Sequence, residues 1–284
     1  MSALEKIAAL NHINHDRYHP LYFTDQKIGA IRIDRIPIIK KFPLLFTETN
    51  NASERFLCFS NQFVESSFED RNNIMADFCD YLKANSIVKE WRNELYPIYR
   101  QIDARRDPLF VLERGCIGYL GLPAYGIHVN GFVRIDNELH MWIAKRSASR
   151  PVAPGKLDQI TAGGLPFGHE PFENVIKECA EEANIPKSLS SQANFIHTLR
   201  YHAEDERGTK PDYLYVYDLE LPESFIPQSN DGEAESFSLL PLKYISDLVT
   251  NSESFKANSG LVVIDFLVRH HHLPSFPELS KLIM

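Results

Sequence analysis

The segment AGGLPFGHEPFENVIKECAEEANIP, residues 162–186, constrains this chain more than any other. It reads as a glycine-rich loop feeding a short amphipathic helix with both ends marked. Pro171 suits the first helical turn, where a missing N–H costs nothing. Asn184 tolerates the left-handed conformation in which helices often end, and Pro186 blocks continuation. Phe172, Val175, Ile176, Cys179 and Ala183 recur at helical spacing and predict one apolar face.

Glu178, Glu181 and Glu182 stand at i, i+3 and i+4, so they share a face away from that stripe. Carboxylates so placed repel by roughly 0.2–0.5 kcal/mol per neighbouring pair. Many acidic helix faces are simply solvated. Here Gly163-Gly164 ahead of the helix lets backbone approach a ligand without Cβ obstruction. A hard cation with oxygen ligands would remove the repulsion. The expectation is a divalent-metal site.

The rest of the chain sets bounds on function. Its 284 residues are 44% apolar, enough for a sizeable core in one large domain or two. A net charge of -8 speaks against a nucleic-acid partner, which needs clustered Lys and Arg. It leaves open a small phosphorylated ligand, because a bound cation supplies local positive charge. Cys58, Cys79, Cys116 and Cys179 form no CxxC pair, which fits reduced thiols in a cytoplasmic protein. The first residues lack a signal-peptide pattern, and no apolar stretch approaches bilayer length. A soluble cytoplasmic protein without a membrane partner is expected; the oligomeric state is left open. His270-His271-His272 reads as a helix C-terminus, where His is electrostatically welcome, rather than as a metal site.

Along the chain, SALEKIAALNHI reads as a helix with Leu4, Ile7, Ala8 and Ile13 near one face. IGAIRIDRI and FLCFSNQF read as strands, and Asn72 or Asn73 as the cap of a helix reaching Lys83. Gly and Pro cluster at 118–126, which predicts a boundary: a small α+β domain over 1–122 and a second domain over 123–284. In the second, GIHVNGFVRI and LHMWIAKR form a hairpin around Asp136-Asn137, with a long strand at 212–221 and a helix from Gly260 to His270. The fold class expected is α+β with a mixed sheet.

Lys177-Glu178-Cys179-Ala180-Glu181-Glu182-Ala183-Asn184-Ile185 resembles the second half of the Nudix hydrolase signature, with Lys for Arg and Asn for Gly. The first half is one residue short, so Glu170 and His169 receive no role. HVNGFV, LHMWIAKRS, PGKLDQITAGGLP, KPDYLYVYDLELP and NDGEAESFSLLPL extend the resemblance to the Nudix subgroup found alone or fused to thiamine pyrophosphokinase. The resemblance implies an α/β/α sandwich preceded by an extra N-terminal domain. It implies Mg²⁺ or Mn²⁺ on Glu178, Glu181 and Glu182, with Glu178 and Glu182 in the chemistry and a further acid, Glu235 ahead of Glu233, on a later loop. It also implies cleavage of a small-molecule diphosphate. Thiamine diphosphate, above all its oxidised forms, would go to the monophosphate and phosphate; another nucleoside diphosphate derivative such as ADP-ribose is the alternative.

Flat apolar walls for thiamine's rings are expected from Trp142 and from Tyr213, Tyr215 and Tyr217, with Tyr215 the representative contact. Arg146 or Lys145 is the candidate phosphate ligand. An isopentenyl-diphosphate isomerase would need an active-site cysteine, and neither Cys116 nor Cys179 sits in such a motif.

Overall fold

The computed structural model describes residues 1–50, 55–100 and 107–284. Thirteen strands among these residues form three sheets. Strands β1 (Tyr18–Phe23), β2 (Gln26–Arg32), β3 (Phe46–Asn50) and β4 (Arg55–Phe59) make a four-stranded sheet in the order β2-β1-β4-β3. Its apolar face packs on the helix Phe68–Ala84, with Phe46 against Phe78, and on Phe63 of the short helix Asn61–Glu65, which stacks on Phe59. That helix starts earlier than expected. Ser67, not Asn72 or Asn73, caps it, accepting the Asp70 N–H at 3.1 Å. Asn72 instead accepts the Val111 N–H at 2.8 Å. Strands β5 (Leu95–Ile98) and β6 (Phe110–Glu113) pair antiparallel beside this core.

The large sheet holds β7 (Ala124–Ile135), β8 (Glu138–Arg146), β11 (Asn194–Asp205), β12 (Gly208–Glu220) and β13 (Ala234–Pro241) in the order β11-β12-β7-β8-β13. Asp136 and Asn137 both take positive φ, the two-residue turn that matches the strands' right-handed twist. β7 is buried over most of its length and runs parallel to β12, as a central strand covered on both faces should. Its other edge is shared. The start of β7 pairs with β10 (Thr161–Gly164), its end with β8, while β9 (Leu157–Gln159) pairs with β8. β10 therefore brings Gly163 and Gly164 onto the sheet.

Alternation assigns the two faces. Met141, Ile143, Leu214 and Val216 point to one core, with the helices Leu242–Asn251 and Ala257–Arg269. Trp142, Tyr215 and Tyr217 point to the other, under the helix Pro171–Ala183. Helix, mixed sheet and helices make three layers, the α/β/α arrangement expected. The N-terminal helix Ala3–Ala9 joins the second of these helix layers, burying Ala3, Ile7 and Leu10 beside Phe266 while Leu4 stays exposed. Each large aliphatic side chain so buried stabilises by about 1.5–3 kcal/mol. No helix among the described residues is long and apolar enough to cross a membrane.

Candidate active site

The helix Pro171–Ala183 lies across β10, and small residues on the strand decide how closely. A Cβ at Gly163 would sit 2.5 Å from the Glu178 Cδ, so only glycine leaves the carboxylate room against the strand. One residue earlier, the Ala162 N–H donates to Glu182 Oε2 at 2.9 Å. One residue later, Asn174 Nδ2 donates to the Gly164 carbonyl at 2.8 Å. Asn184 ends the helix at φ 53°, letting the Ile185 N–H reach the Cys179 carbonyl. The apolar stripe holds at Val175, Cys179 and Ala183; Phe172 is instead exposed near Tyr217, and Asn174 is buried to reach β10.

Glu178, Glu182, Gly163 and Gly164 border a cavity of about 360 Å³, half of whose lining residues are charged. Burial raises the affinity of both carboxylates for protons. Lys177 partly offsets this at Glu178, and the Ala162 N–H does so at Glu182, which lies well above the ordinary carboxylate range. Neighbouring acids push the same way, Glu181 and Glu233 at Glu178, and Glu178, Asp158 and Glu233 at Glu182. Glu181 sits at the cavity's rim, its side chain half exposed and 2.6 Å from Lys177 Nζ. Lys177 also lies 3.3 Å from Glu178.

The far wall is a buried polar network. Asp158 accepts from Arg146 at 3.0 Å and Lys256 at 3.2 Å, and also from Ser259; burial alone would raise its pKa, but Lys256, His128 and these donors hold it low. Gln159 Nε2 donates to the Ser259 carbonyl at 2.8 Å, so its Oε1 faces His128 Nδ1, 2.8 Å away. His128 therefore carries its proton on Nδ1. Burial lowers its pKa to about 4 and keeps it neutral.

Comparison with known proteins places this geometry. Nudix hydrolase 20, chloroplastic, of Arabidopsis thaliana is 37% identical over 256 residues, covering 88% of this chain and 67% of that protein. Nudix hydrolase 24, chloroplastic, of the same plant is 37% identical over 251 residues with the same coverage. The chain belongs to the Nudix hydrolase family. Residues 2–124 match a domain of unknown function, DUF4743. Among solved structures, a MutT/nudix family protein from Enterococcus faecalis overlaps 76% of this chain and 80% of its own at 12% identity, with a TM-score of 0.43.

For this Nudix hydrolase the structure brings together Glu178, Glu182, Gly163, Gly164 and Arg146, with Glu181 at the edge. Three of the expected site residues lie elsewhere, and a fourth borders the cavity while ion-paired. Glu235 is not at the cavity: it is the bulged residue between Ala234 and Ser236, and its carboxylate is half exposed, 3.0 Å from Lys145. The bulge breaks the alternation that would put Glu233 and Glu235 on one face. Glu233 instead lines the cavity, 2.7 Å from Arg150, and borders a crevice it shares with Glu182. Trp142 and Tyr215 are buried in the core under the glutamate helix, because their register positions face that layer. The aromatic rings on the cavity are Tyr96 and Tyr125. Arg146 borders the cavity but is committed to Asp158 and, through Nε and a second terminal nitrogen, to the Val152 carbonyl. His169 and Glu170 are exposed before the helix, outside the cavity lining.

The fit to a divalent ion can be judged from these donors. Glu178 and Glu182 are hard oxygen ligands held at one stretch of strand with charge that nothing else there neutralises fully. Glu181 faces Lys177, and among the described residues no three acids or imidazoles converge as they stand. Two of the three expected ligands thus fit.

Proposed function

We propose that this Nudix hydrolase cleaves the diphosphate of thiamine diphosphate-like compounds, oxidised or damaged forms above all, releasing the monophosphate and phosphate. The observation that carries the hydrolytic part is the Glu178–Glu182 pair against β10, two carboxylates with raised proton affinity beside a glycine strand. Such a pair is suited to accept the proton of an attacking water. Glu178 and Glu182 would hold Mg²⁺ or Mn²⁺, with Glu181 joining from the rim. A bound divalent ion polarises the phosphoryl group and lowers the pKa of water. Gly163 and Gly164 let Glu178 and Tyr96 lie close against the strand at the cavity's edge. Glu233, on the cavity wall, is the further acid that the later loop supplies.

The substrate class rests on the resemblance of the long segments around the signature, and on Tyr96 and Tyr125 as flat walls in the cavity. On this reading the chain divides into an N-terminal domain, 1–122, and a Nudix domain, 123–284, with the first helix crossing back onto the second. Phosphorus NMR of the products tests the cleavage. Thiamine monophosphate with inorganic phosphate is expected; thiamine with inorganic diphosphate would contradict it.

A further inference from the structure

The cavity has a wall that the Nudix signature does not supply. Tyr96 on β5 and Arg114, just after β6, reach it from the N-terminal part. Tyr96 is 2% exposed, and among the described residues its hydroxyl meets no hydrogen-bond partner. A buried hydroxyl without a partner is costly, and a ligand atom would remove that cost. The hydroxyl lies where a Cβ at Gly164 would collide with it, so the second glycine of the pair is spent on admitting Tyr96. The Arg114 guanidinium packs 5.3 Å from the Tyr96 ring centre, and its carbon would lie 3.1 Å from the same Cβ. β10 therefore has Glu178 against Gly163 on one side and Tyr96 with Arg114 against Gly164 on the other.

Arg114, like Arg92, Arg150 and Lys210 on this cavity, keeps a single ion pair, and it is the one that lies against Tyr96 and the Gly164 strand. Arg146 and Lys256 hold Asp158, Arg150 holds Glu233, and Lys177 bridges Glu178 and Glu181. Arg114 keeps one ion pair, to Glu94 at 2.8 Å, with both side chains about two-fifths exposed. A pair this hydrated is weak. A phosphoryl group offers a guanidinium stronger, bidentate acceptors.

We propose that Tyr96 and Arg114 form an anion subsite that binds the substrate's diphosphate from the face opposite the glutamates. The N-terminal part thereby completes the Nudix site, supplying binding groups while the glutamate helix supplies the chemistry. This rests on the diphosphate reading above, and the two are separable by experiment.

The probe is methylenediphosphonate, a non-hydrolysable diphosphate, titrated calorimetrically into the full chain with Mg²⁺. Arg114→Ala is expected to weaken binding at least tenfold and Arg114→Lys less than Arg114→Ala. Tyr96→Phe keeps the packing, and is expected to weaken binding severalfold without lowering Tm, since the lost hydroxyl has no protein partner. With substrate, these variants raise KM more than they lower kcat. Binding in Arg114→Ala and Tyr96→Phe equal to the parent's would overturn the subsite and leave the hydrolase reading intact. No binding by the parent chain would overturn both. A lowered Tm in Tyr96→Phe with unchanged binding would make the hydroxyl structural and likewise overturn the subsite.

Discussion

Glu182 Oε2 accepts the Ala162 backbone N–H at 2.9 Å, fixing the last glutamate of the signature helix to the strand beneath it. That contact turns a helix face, which alone could be a solvated acidic surface, into one wall of a cavity.

Glu182→Gln separates function from stability. Loss of the carboxylate is expected to lower kcat by roughly 10²–10⁴, the range general acid–base groups contribute. Its folded pKa is raised above the unfolded value, so its contribution to stability is fully present below pH 4.5 and lost as pH rises through the folded pKa. Metal-free Glu182→Gln should therefore melt higher than the parent at pH 8 and converge with it near pH 4. Thermal melts at both pH values check this; a lower Tm at pH 8 would contradict it.

His128 gives the opposite slope. Its pKa falls from 6.5 to about 4 because burial disfavours the charge. A depressed folded pKa means stability is present above the unfolded value and lost as pH falls through 6.5 toward 4, by roughly 3 kcal/mol at most. Denaturant unfolding at pH 7.5 and 4.5 should show a larger loss in the parent than in His128→Gln. Equal losses would show that His128 is not held neutral.

Gly163→Ala places a methyl group where the Glu178 carboxylate lies. The carboxylate is the movable partner, so the fold should survive with stability changed by about 1 kcal/mol or less. Activity is expected to fall at least tenfold. An active Gly163→Ala would show that Glu178 need not lie against β10.

Glu233→Gln and Glu235→Gln discriminate two acids of one short loop. Glu235 forms an exposed pair with Lys145, worth about 0–1 kcal/mol, and its removal should leave kcat unchanged. Glu233 lines the cavity, and its removal should lower kcat. The reverse outcome would restore the reading of Glu235 drawn from the sequence.

What could be read from the sequence was local. The helix Pro171–Ala183, with its proline start, its Asn184 stop and its glutamate face, needs only spacing and dihedral preferences. The Asp136-Asn137 turn is equally local. What escaped depends on pairing between distant segments. The bulge at Glu235 exists only in register with β8, so the resemblance that favoured this acid over Glu233 could not show that its side chain turns to Lys145. Trp142 and Tyr215 look like ligand walls until the sheet's two covers are known, and then both belong to the core. Tyr96 comes from β5 and Arg114 from the turn after β6, and the one signal for them was indirect: two consecutive glycines, each cleared for a different neighbour.

The most direct measurement is phosphate release with Mg²⁺ from thiamine, oxothiamine and oxythiamine diphosphates beside ADP-ribose and nucleotides. Release from the thiamine compounds, fastest for an oxidised form and lost in Glu182→Gln, is the predicted result. Brisk turnover of ADP-ribose with none from any thiamine compound would contradict it.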